Sequence, residues 1–197
     1  MKLLLHVCCG PCGIYPFKEL LRSPADKISG FYFNPNIHPD AEYLKRRSGL
    51  EEYSKENNLD IIYPRYDPSD FFAQVPRDEA APKRCISCWT MRLRKTAEAA
   101  REKGFDSFST TLLISPYQDH LAIKEIGERL ARETGIKFYY MDFRPGFRES
   151  QAEAKRLNLY RQKYCGCKYS LLEKDSKKIT QISKKDYTDK IVKQKSV

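Results

Sequence analysis

The residues of this sequence best suited to chemistry are its seven cysteines, which occur in three short groups. In chain order the groups are Cys8, Cys9 and Cys12; Cys85 and Cys88; and Cys165 and Cys167. Thiolates bind zinc and iron–sulfur clusters, and pairs of thiols also exchange electrons as disulfides. Clustered cysteines in an intracellular protein indicate metal binding or catalysis rather than structural disulfides. We therefore predict that the three groups converge on one metal or redox site.

The first group contains the dithiol sequence of thioredoxins, Cys9-Gly10-Pro11-Cys12. A helix that starts at such a motif lowers the pKa of its first thiol, so a thioredoxin-like dithiol reductase is one alternative. Thioredoxin-like folds place this motif after a complete βαβ unit, whereas only one predicted strand precedes it here. Cys8 also lies directly before the motif. Both differences argue against a thioredoxin.

The other two groups allow two interpretations. Cys85 and Cys88 have the C-x-x-C spacing of metal ligands, and Cys165 and Cys167 could complete a tetrahedral zinc site with them. A zinc-stabilised RNA-binding module is therefore a second alternative, although it leaves the first group without a role. An iron–sulfur cluster bound by two N-terminal thiols together with Cys85 and Cys88 would leave Cys165 and Cys167 free for redox work. This interpretation accounts for more of the sequence.

The net charge of +10, from 36 Lys and Arg against 26 Asp and Glu, favours a polyanionic partner. Half of this excess comes from the last 24 residues, which hold eight lysines and three aspartates from Lys174 onward. Because such a tail is often only a solvated segment, it does not by itself predict RNA binding.

The hydrophobic pattern predicts a protein without a membrane span. No apolar run approaches the roughly 20 residues that a transmembrane helix needs. The opening segment 1–5 resembles the start of a signal peptide, but it is too short and no cleavage site follows it. We therefore expect a cytoplasmic protein.

Predicted strands and helices alternate along the chain. The strands cover 3–7, 27–33, 61–63, 105–110 and 137–141, and the main helices cover 13–22, 40–57, 86–103, 119–134 and 147–157. This alternation predicts an α/β fold with a doubly wound, mainly parallel five-stranded sheet, Rossmann-like and similar to the adenine-nucleotide-hydrolase-like folds. We expect one domain over 1–173, with a cysteine-bearing C-terminal segment, followed by a lysine-rich tail over 174–197. If the first strand is central, Cys8, Cys9 and Cys12 lie in the crevice at the switch point of the sheet.

The sequence lacks the common phosphate-binding motifs. It contains no G-x-G-x-x-G, no G-x-x-x-x-G-K-[ST], and no Ser-Gly-Gly loop after the first strand of the kind used by ATP pyrophosphatases. The predicted topology could host a nucleotide-dependent ligase, but its sequence signature is missing.

Several blocks, taken together and in order, resemble the QueH family of epoxyqueuosine reductases. The blocks are Leu4-Leu5-His6-Val7-Cys8-Cys9-Gly10-Pro11-Cys12; Phe33-Asn34-Pro35-Asn36-Ile37-His38-Pro39 with Glu42-Tyr43 and Arg46; Arg84-Cys85-x-x-Cys88-x-x-x-Arg92-Leu93; Thr110-Thr111-Leu112 with Ser115-Pro116; Asp142-Phe143; and Tyr160-Arg161-Gln162-x-Tyr164-Cys165-Gly166-Cys167. The likeness covers about residues 3–170.

This resemblance implies an enzyme of the last step of queuosine biosynthesis, which reduces the epoxide of epoxyqueuosine in tRNA to an alkene. It also implies a 4Fe-4S cluster and no cobalamin. Deoxygenation needs two electrons and protons, and a cluster delivers electrons singly. The substrate is then a tRNA with epoxyqueuosine in its anticodon loop, and an electron donor, which the sequence does not identify, is also required.

The resemblance also assigns roles to individual residues. Cys8, Cys9, Cys85 and Cys88 are the expected cluster ligands, and Cys165 and Cys167 the expected redox-active pair. Cys12 is expected to lie close to the cluster or to help bind one additional iron ion. Asp142 is the expected proton donor or an oxygen ligand to iron. The candidate RNA contacts are Arg46, Arg47, Arg92, Arg94, Arg156 and Arg161, with Trp89 and Tyr164 as stacking partners.

Overall fold

A five-stranded parallel sheet forms the centre of the protein, in a computed structural model that describes residues 1–76 and 80–174. The strand order is β3-β2-β1-β4-β5, and every neighbouring pair is parallel. The strands are β1 (Lys2–His6), β2 (Lys27–Phe31), β3 (Asp60–Ile62), β4 (Ser107–Thr110) and β5 (Lys137–Phe138). The predicted doubly wound sheet with a central first strand is confirmed.

Helices cover both faces of the sheet. They are α1 (Gly10–Leu21), α2 (Asp40–Glu56), α3 (Ser69–Gln74), α4 (Lys83–Glu102), α5 (His120–Thr134) and α6 (Phe147–Arg156). Helix α1 packs against α2 and α6, whereas α4 packs against α5. Right-handed crossovers place these two groups on opposite faces of the sheet. Residues 168–174 are helical too, and the predicted tail beyond Lys174 lies outside the described residues.

Strand β1 is buried on both faces, as its uninterrupted apolar run predicts. Leu3, Leu4 and Leu5 are each 0% exposed. Burial of one such side chain contributes about 1.5–3 kcal/mol. The carboxyl end of β1 therefore lies in the middle of the molecule, where the loops after β2 and β4 adjoin it. Within the described ranges, no helix has the length and apolar character to cross a membrane.

Among the element boundaries that differ from the predicted ones, two adjoin the first cysteine group. Helix α1 begins at Gly10 rather than at residue 13, because Pro11 fits the first turn of a helix, where no amide donor is needed. Cys12 therefore belongs to this helix. The apolar segment after β4, predicted as a loop, forms a short 3-10 helix over Thr111–Ile114, since the Thr110 side chain accepts the Leu112 amide.

A glycine pair allows α1 and α2 to approach each other beside the first cysteine group. A Cβ atom at Gly10 would lie 2.8 Å from the Gly49 carbonyl oxygen, which is backbone that cannot move aside. A Cβ atom at Gly49 would meet nothing closer than 3.8 Å. The contact therefore requires glycine on the α1 side alone.

We predict opposite effects for alanine at these two positions. Gly10→Ala should lower the free energy of unfolding by about 1–3 kcal/mol through overpacking. Gly49→Ala, the matched control inside α2, should leave it unchanged or raise it by up to about 1 kcal/mol, because alanine is the better helix former. Denaturant unfolding of both variants beside the wild type measures this difference. Equal destabilisation by the two changes would contradict the packing described here.

Candidate metal and redox site

Cys8, Cys9 and Cys12 form one compact group of thiols at the carboxyl end of β1. Their sulfur atoms all lie within 4.8 Å of one another, and the Sγ atoms of Cys8 and Cys9 are 3.9 Å apart. Cys9 is the N-cap of α1, and Cys12 lies in its first turn. Cys9 and Cys12 are buried and Cys8 is half-buried. The predicted position of this group, at the switch point between β1 and β4, agrees with the structure.

Thr111 connects this group to the segment after β4. Its hydroxyl accepts the backbone amide of Cys8 at 3.1 Å and lies 3.3 Å from the Cys8 sulfur, to which it donates. Hydrogen bonds from the Cys12 and Cys9 thiols hold the pKa of Cys8 well below its usual range, and Arg92 and Thr111 act in the same direction. Cys8 is therefore the thiol of the group that ionises most readily, and the thiolate is the form that binds metals.

A cavity of about 400 Å³ lies beside these thiols. Cys8 and Cys12 line one part of it, and Cys165 lines another. Two aromatic residues predicted to stack on RNA, Trp89 and Tyr164, also line it. The cavity therefore joins the first cysteine group to the last. A larger surface groove of about 900 Å³ between α1 and α6 contains no cysteine.

The C-terminal cysteine segment is attached to α2 by a buried ion pair. Arg46, only 3% exposed, contacts the Glu42 carboxylate at 2.8 Å and donates to the Tyr164 and Cys165 carbonyl oxygens at 3.0 Å each. Tyr160 donates to the other Glu42 oxygen at 2.6 Å. A buried pair in which each of the three Arg46 side-chain nitrogen atoms donates a hydrogen bond gives a specific geometry. Glu42 and Arg46 are four residues apart in α2, and this spacing predicts an ion pair within a helix. The sequence analysis did not identify the pair.

The loop after β2 holds the same segment from the other side. The His38 amide donates to the Gly166 carbonyl oxygen at 2.8 Å, and the Tyr164 hydroxyl donates to the His38 carbonyl. Gly166 has a φ of 121°, a conformation that favours glycine, and its Cα faces Arg46. These contacts present Cys165 to the cavity.

The two C-terminal thiols differ in environment. Cys165 is exposed, whereas Cys167 is 7% exposed and precedes the helical residues 168–174. The hydrogen bond from the Cys165 thiol, together with the hydroxyl and amide of Ser170, lowers the pKa of Cys167 to about 5. The Ser170 amide lies 3.3 Å from the Cys167 sulfur. Cys167 is thus the thiolate and Cys165 the thiol of this pair, and both are free.

Cys85 and Cys88 lie at the start of α4, close to the C-terminal pair. Cys88 is buried in a small apolar cluster with Cys167, Phe71 and Met91. Burial raises the pKa of Cys88 to about 11, against the influence of Arg92. Within 1–76 and 80–174, only Cys8, Cys9 and Cys12 form a group of three metal-binding side chains as close as 4.8 Å. The assignment of Cys85 and Cys88 as cluster ligands stays a prediction.

Asp142 lies apart from the sulfur atoms. Its carboxylate accepts the amide and guanidinium of Arg144 at 2.6–3.1 Å, and it is 3.9 Å from the His120 ring. The hydrogen bonds from Arg144 lower the pKa of Asp142. Asp142 is not among the residues that line the cavity. Its predicted role as proton donor or iron ligand is untested.

The candidate RNA contacts fall into two classes. Arg46 and Arg92 are each 3% exposed and direct their donors into the protein, so they cannot lie along an RNA backbone. Arg47 and Arg94 are half-buried, whereas Arg156 and Arg161 are exposed, and the first three of these are each paired with a glutamate. Surface pairs of this kind are weak, so their guanidinium groups remain available to phosphates.

The chain is similar to proteins of one known family. A family model described as "Epoxyqueuosine reductase QueH" matches residues 3–173. The epoxyqueuosine reductase QueH of Dehalococcoides mccartyi is 40% identical over 177 residues, which cover 89% of this chain and 96% of the relative. That of Thermotoga maritima is 36% identical over 185 residues, with 89% and 93% covered.

A solved structure shares the fold. The U34-tRNA thiolase NcsA from Methanococcus maripaludis, solved with its 4Fe-4S cluster, aligns with a TM-score of 0.54 and 14% identity. The alignment covers 86% of this chain and 61% of that one. At this identity the likeness shows a common fold alone. The matches to the family model and to the relatives, however, span nearly the whole described chain, and they show that it belongs to the epoxyqueuosine reductase family QueH, a family of oxidoreductases.

Proposed function

We propose that this chain reduces the epoxide of epoxyqueuosine in tRNA to the alkene of queuosine with an iron–sulfur cluster and without cobalamin. The observation that carries the proposal is the arrangement around the cavity of about 400 Å³. Cys8 and Cys12 line this cavity, and Cys9 lies beside them, so that three thiols able to bind a metal are close together. Cys165, one member of the C-terminal thiol pair, lines the same cavity. Family membership provides the reaction, and this arrangement provides groups that can perform it.

The residues at the site fit an iron–sulfur cluster. Thiolates are the usual ligands of such clusters, and the sulfur atoms of Cys8, Cys9 and Cys12 lie within 4.8 Å of one another. Cys85 and Cys88 on α4 provide a second pair of donors. We propose Cys8, Cys9, Cys85 and Cys88 as the ligands of a 4Fe-4S cluster, with Cys12 available to one additional iron ion. When bound, the cluster supplies single electrons and a Lewis acid for the departing oxygen.

The reaction itself defines what the chain must deliver. Two electrons and two protons convert the epoxide into an alkene and water, with cleavage of both C–O bonds. Oxidation of the Cys165 thiol and the Cys167 thiolate to a disulfide releases two electrons and one proton. This pair can therefore supply the electrons of one turnover, and the second proton comes from solvent. The ring closed by a Cys-Gly-Cys disulfide is small and strained, which makes it easy to reduce again. An external electron donor must then restore the thiols.

The cavity also suits a base taken from an RNA loop. Proteins recognise unstacked RNA bases by stacking them on aromatic side chains, and Trp89 and Tyr164 line the cavity. The net charge of +10 favours association with a polyanion. The fold neighbour NcsA is a U34-tRNA thiolase solved with its 4Fe-4S cluster, so this fold is compatible with a tRNA substrate and with this type of cofactor. A cytoplasmic location follows from a tRNA substrate and remains a prediction.

The two alternatives are less compatible with these findings. The motif Cys9-Gly10-Pro11-Cys12 follows the first strand of a sheet with order β3-β2-β1-β4-β5, without the preceding βαβ unit of thioredoxin-like folds. A zinc-stabilised RNA-binding module would not need the thiol group at the end of β1. The family is moreover one of reductases.

We predict that single cysteine variants will separate the possible ligand sets. In protein purified anaerobically, Cys8→Ala and Cys85→Ala should lose most of the iron and sulfide, because each removes a ligand of the cluster. Cys12→Ala is the matched control in the same thiol group and should keep the iron and sulfide of the four-iron cluster. Iron and sulfide analysis measures this. If Cys85→Ala keeps the cluster and Cys12→Ala loses it, the ligands include Cys8, Cys9 and Cys12 instead.

We predict a different result for the C-terminal pair. Cys165→Ser and Cys167→Ser should keep the iron and sulfide content of the wild type. Their turnover should fall by at least about a hundredfold, which is the lower end of the range of rate enhancement from a positioned proton-transfer group. The assay uses tRNA that contains epoxyqueuosine, a chemical reductant and no cobalamin, and follows the loss of one oxygen from the nucleoside by mass spectrometry. Ser170→Ala, which perturbs Cys167 without removing it, should reduce turnover less. Wild-type rates in both serine variants would exclude the pair from the reaction, and an inactive wild type that contains iron and sulfide would contradict the proposed function.

A further inference from the structure

Arg92 is a buried cation that has no carboxylate partner within residues 1–76 and 80–174. Its side chain is 3% exposed, and among the described residues no Asp or Glu oxygen lies within 4.0 Å of its guanidinium. Arg46, the other buried arginine at the cavity, is by contrast neutralised by Glu42 at 2.8 Å. An unpaired buried charge is strongly unfavourable unless an anion compensates it. The anion that compensates Arg92 must therefore be sought among its other neighbours.

The hydrogen bonds of Arg92 go to neutral acceptors. Its Nε–H donates to His6 Nε2 at 3.3 Å, and its Nη2 donates to Asn34 Oδ1 at 2.7 Å. Because His6 Nε2 is an acceptor, the ring proton lies on Nδ1, which is 2.9 Å from the Thr110 hydroxyl oxygen. The Asn34 amide is oriented by its own donation to the Val7 carbonyl at 2.9 Å. These contacts fix the guanidinium in position without neutralising it.

Cysteine side chains are among the other neighbours of Arg92. Cys85, Cys88 and Arg92 are spaced i, i+3 and i+7 on α4 and so share one face of that helix. Arg92 also lines the cavity with Cys8, Cys12 and Cys165. Arg92 thus shares the cavity with members of the first and last cysteine groups, and a helix face with the second group. Thiolates, or a thiolate-ligated cluster, are the anions that can compensate it.

We infer that Arg92 is a positioning residue that provides the fixed positive counter-charge of the sulfur site, held in place by His6 and Asn34. The inference rests on the proposed cluster. One-electron reduction adds a negative charge to a buried cluster, and the net charge and hydrogen bonds around a cluster set its reduction potential. A fixed guanidinium therefore favours the reduced state. Arg92 acts through the cluster rather than on the substrate.

The experiment is an anaerobic reductive titration of the iron-loaded protein, followed by its visible absorption and by electron paramagnetic resonance. Arg92→Met removes the charge, whereas Arg92→Lys keeps it. Arg101→Met is the matched control, because Arg101 is an exposed arginine on the same helix, nine residues further along. Iron, sulfide and turnover of the wild type are measured first. A wild type without a cluster would overturn the proposed function and this inference together.

With the wild-type cluster present, the expected effect of Arg92→Met is a lower reduction potential. At the midpoint potential of the wild type, the ratio of reduced to oxidised cluster in Arg92→Met should be lower by about tenfold or more. This is the effect expected when one unit of positive charge is removed from a partly shielded position near the cluster. For a one-electron couple this corresponds to about 59 mV. Arg92→Lys should stay close to the wild type, and Arg101→Met should match it.

Two results would overturn the inference while leaving the proposed function intact. One is an Arg92→Met protein with full iron and sulfide and an unchanged potential. The other is an Arg92→Lys protein whose potential falls as far as that of Arg92→Met, since geometry rather than charge would then be the cause.

If Arg92→Met does not fold, Asn34→Asp decides the question, because it keeps the guanidinium and places a carboxylate against it. A lower potential in Asn34→Asp supports the inference, and an unchanged one with an intact cluster overturns it.

Discussion

Burial of β1 on both faces is the constraint on which the rest of the site depends. A parallel strand covered by helices on both sides can present polar groups only at its end, where the chain leaves the sheet. In this protein Cys8 and Cys9 occupy that position, and α1 begins at once, so that Cys12 turns back toward them. The strand end and the first turn of α1 place the three sulfur atoms within 4.8 Å of one another.

A buried group of thiols needs compensating charge and fixed neighbours, and two arginines provide them in different ways. Arg46 is neutralised by Glu42, so its remaining donors can hold the carbonyl groups of the C-terminal cysteine segment. Arg92 is held by the neutral side chains of His6 and Asn34, so its charge remains available to sulfur. The first arrangement positions the proposed redox pair, and the second would set the electrostatic environment of the proposed metal site. Neither arginine needs to contact RNA for the site to form.

Much of the fold could be predicted from the sequence, because strand and helix periodicities alternate and parallel crossovers have a fixed hand. The convergence of the thiols at the end of β1 followed from the same reasoning.

Side-chain partners could not be predicted in this way. The spacing of charges within α2 indicates an Arg46–Glu42 pair, but only the packed structure shows that it reaches Tyr164 and Cys165 across 118 or more residues of chain. Arg92 looked like a surface contact for RNA, because a sequence does not show that a helix face is covered. The close contact of Cys12 with Cys8 and Cys9 depended on the start of α1, and such boundaries are the least secure part of a sequence-based prediction.

The central claim is that one iron–sulfur cluster occupies the crevice where the cysteine groups meet. Mössbauer spectroscopy of anaerobic protein produced with iron-57 tests it most directly, because it reports the kind of iron site and not only the amount. The claim predicts the spectrum of a 4Fe-4S cluster as the main species, with at most a minor signal from a single additional iron. A spectrum of isolated iron on thiolate ligands, or protein that contains zinc in place of iron, would contradict it.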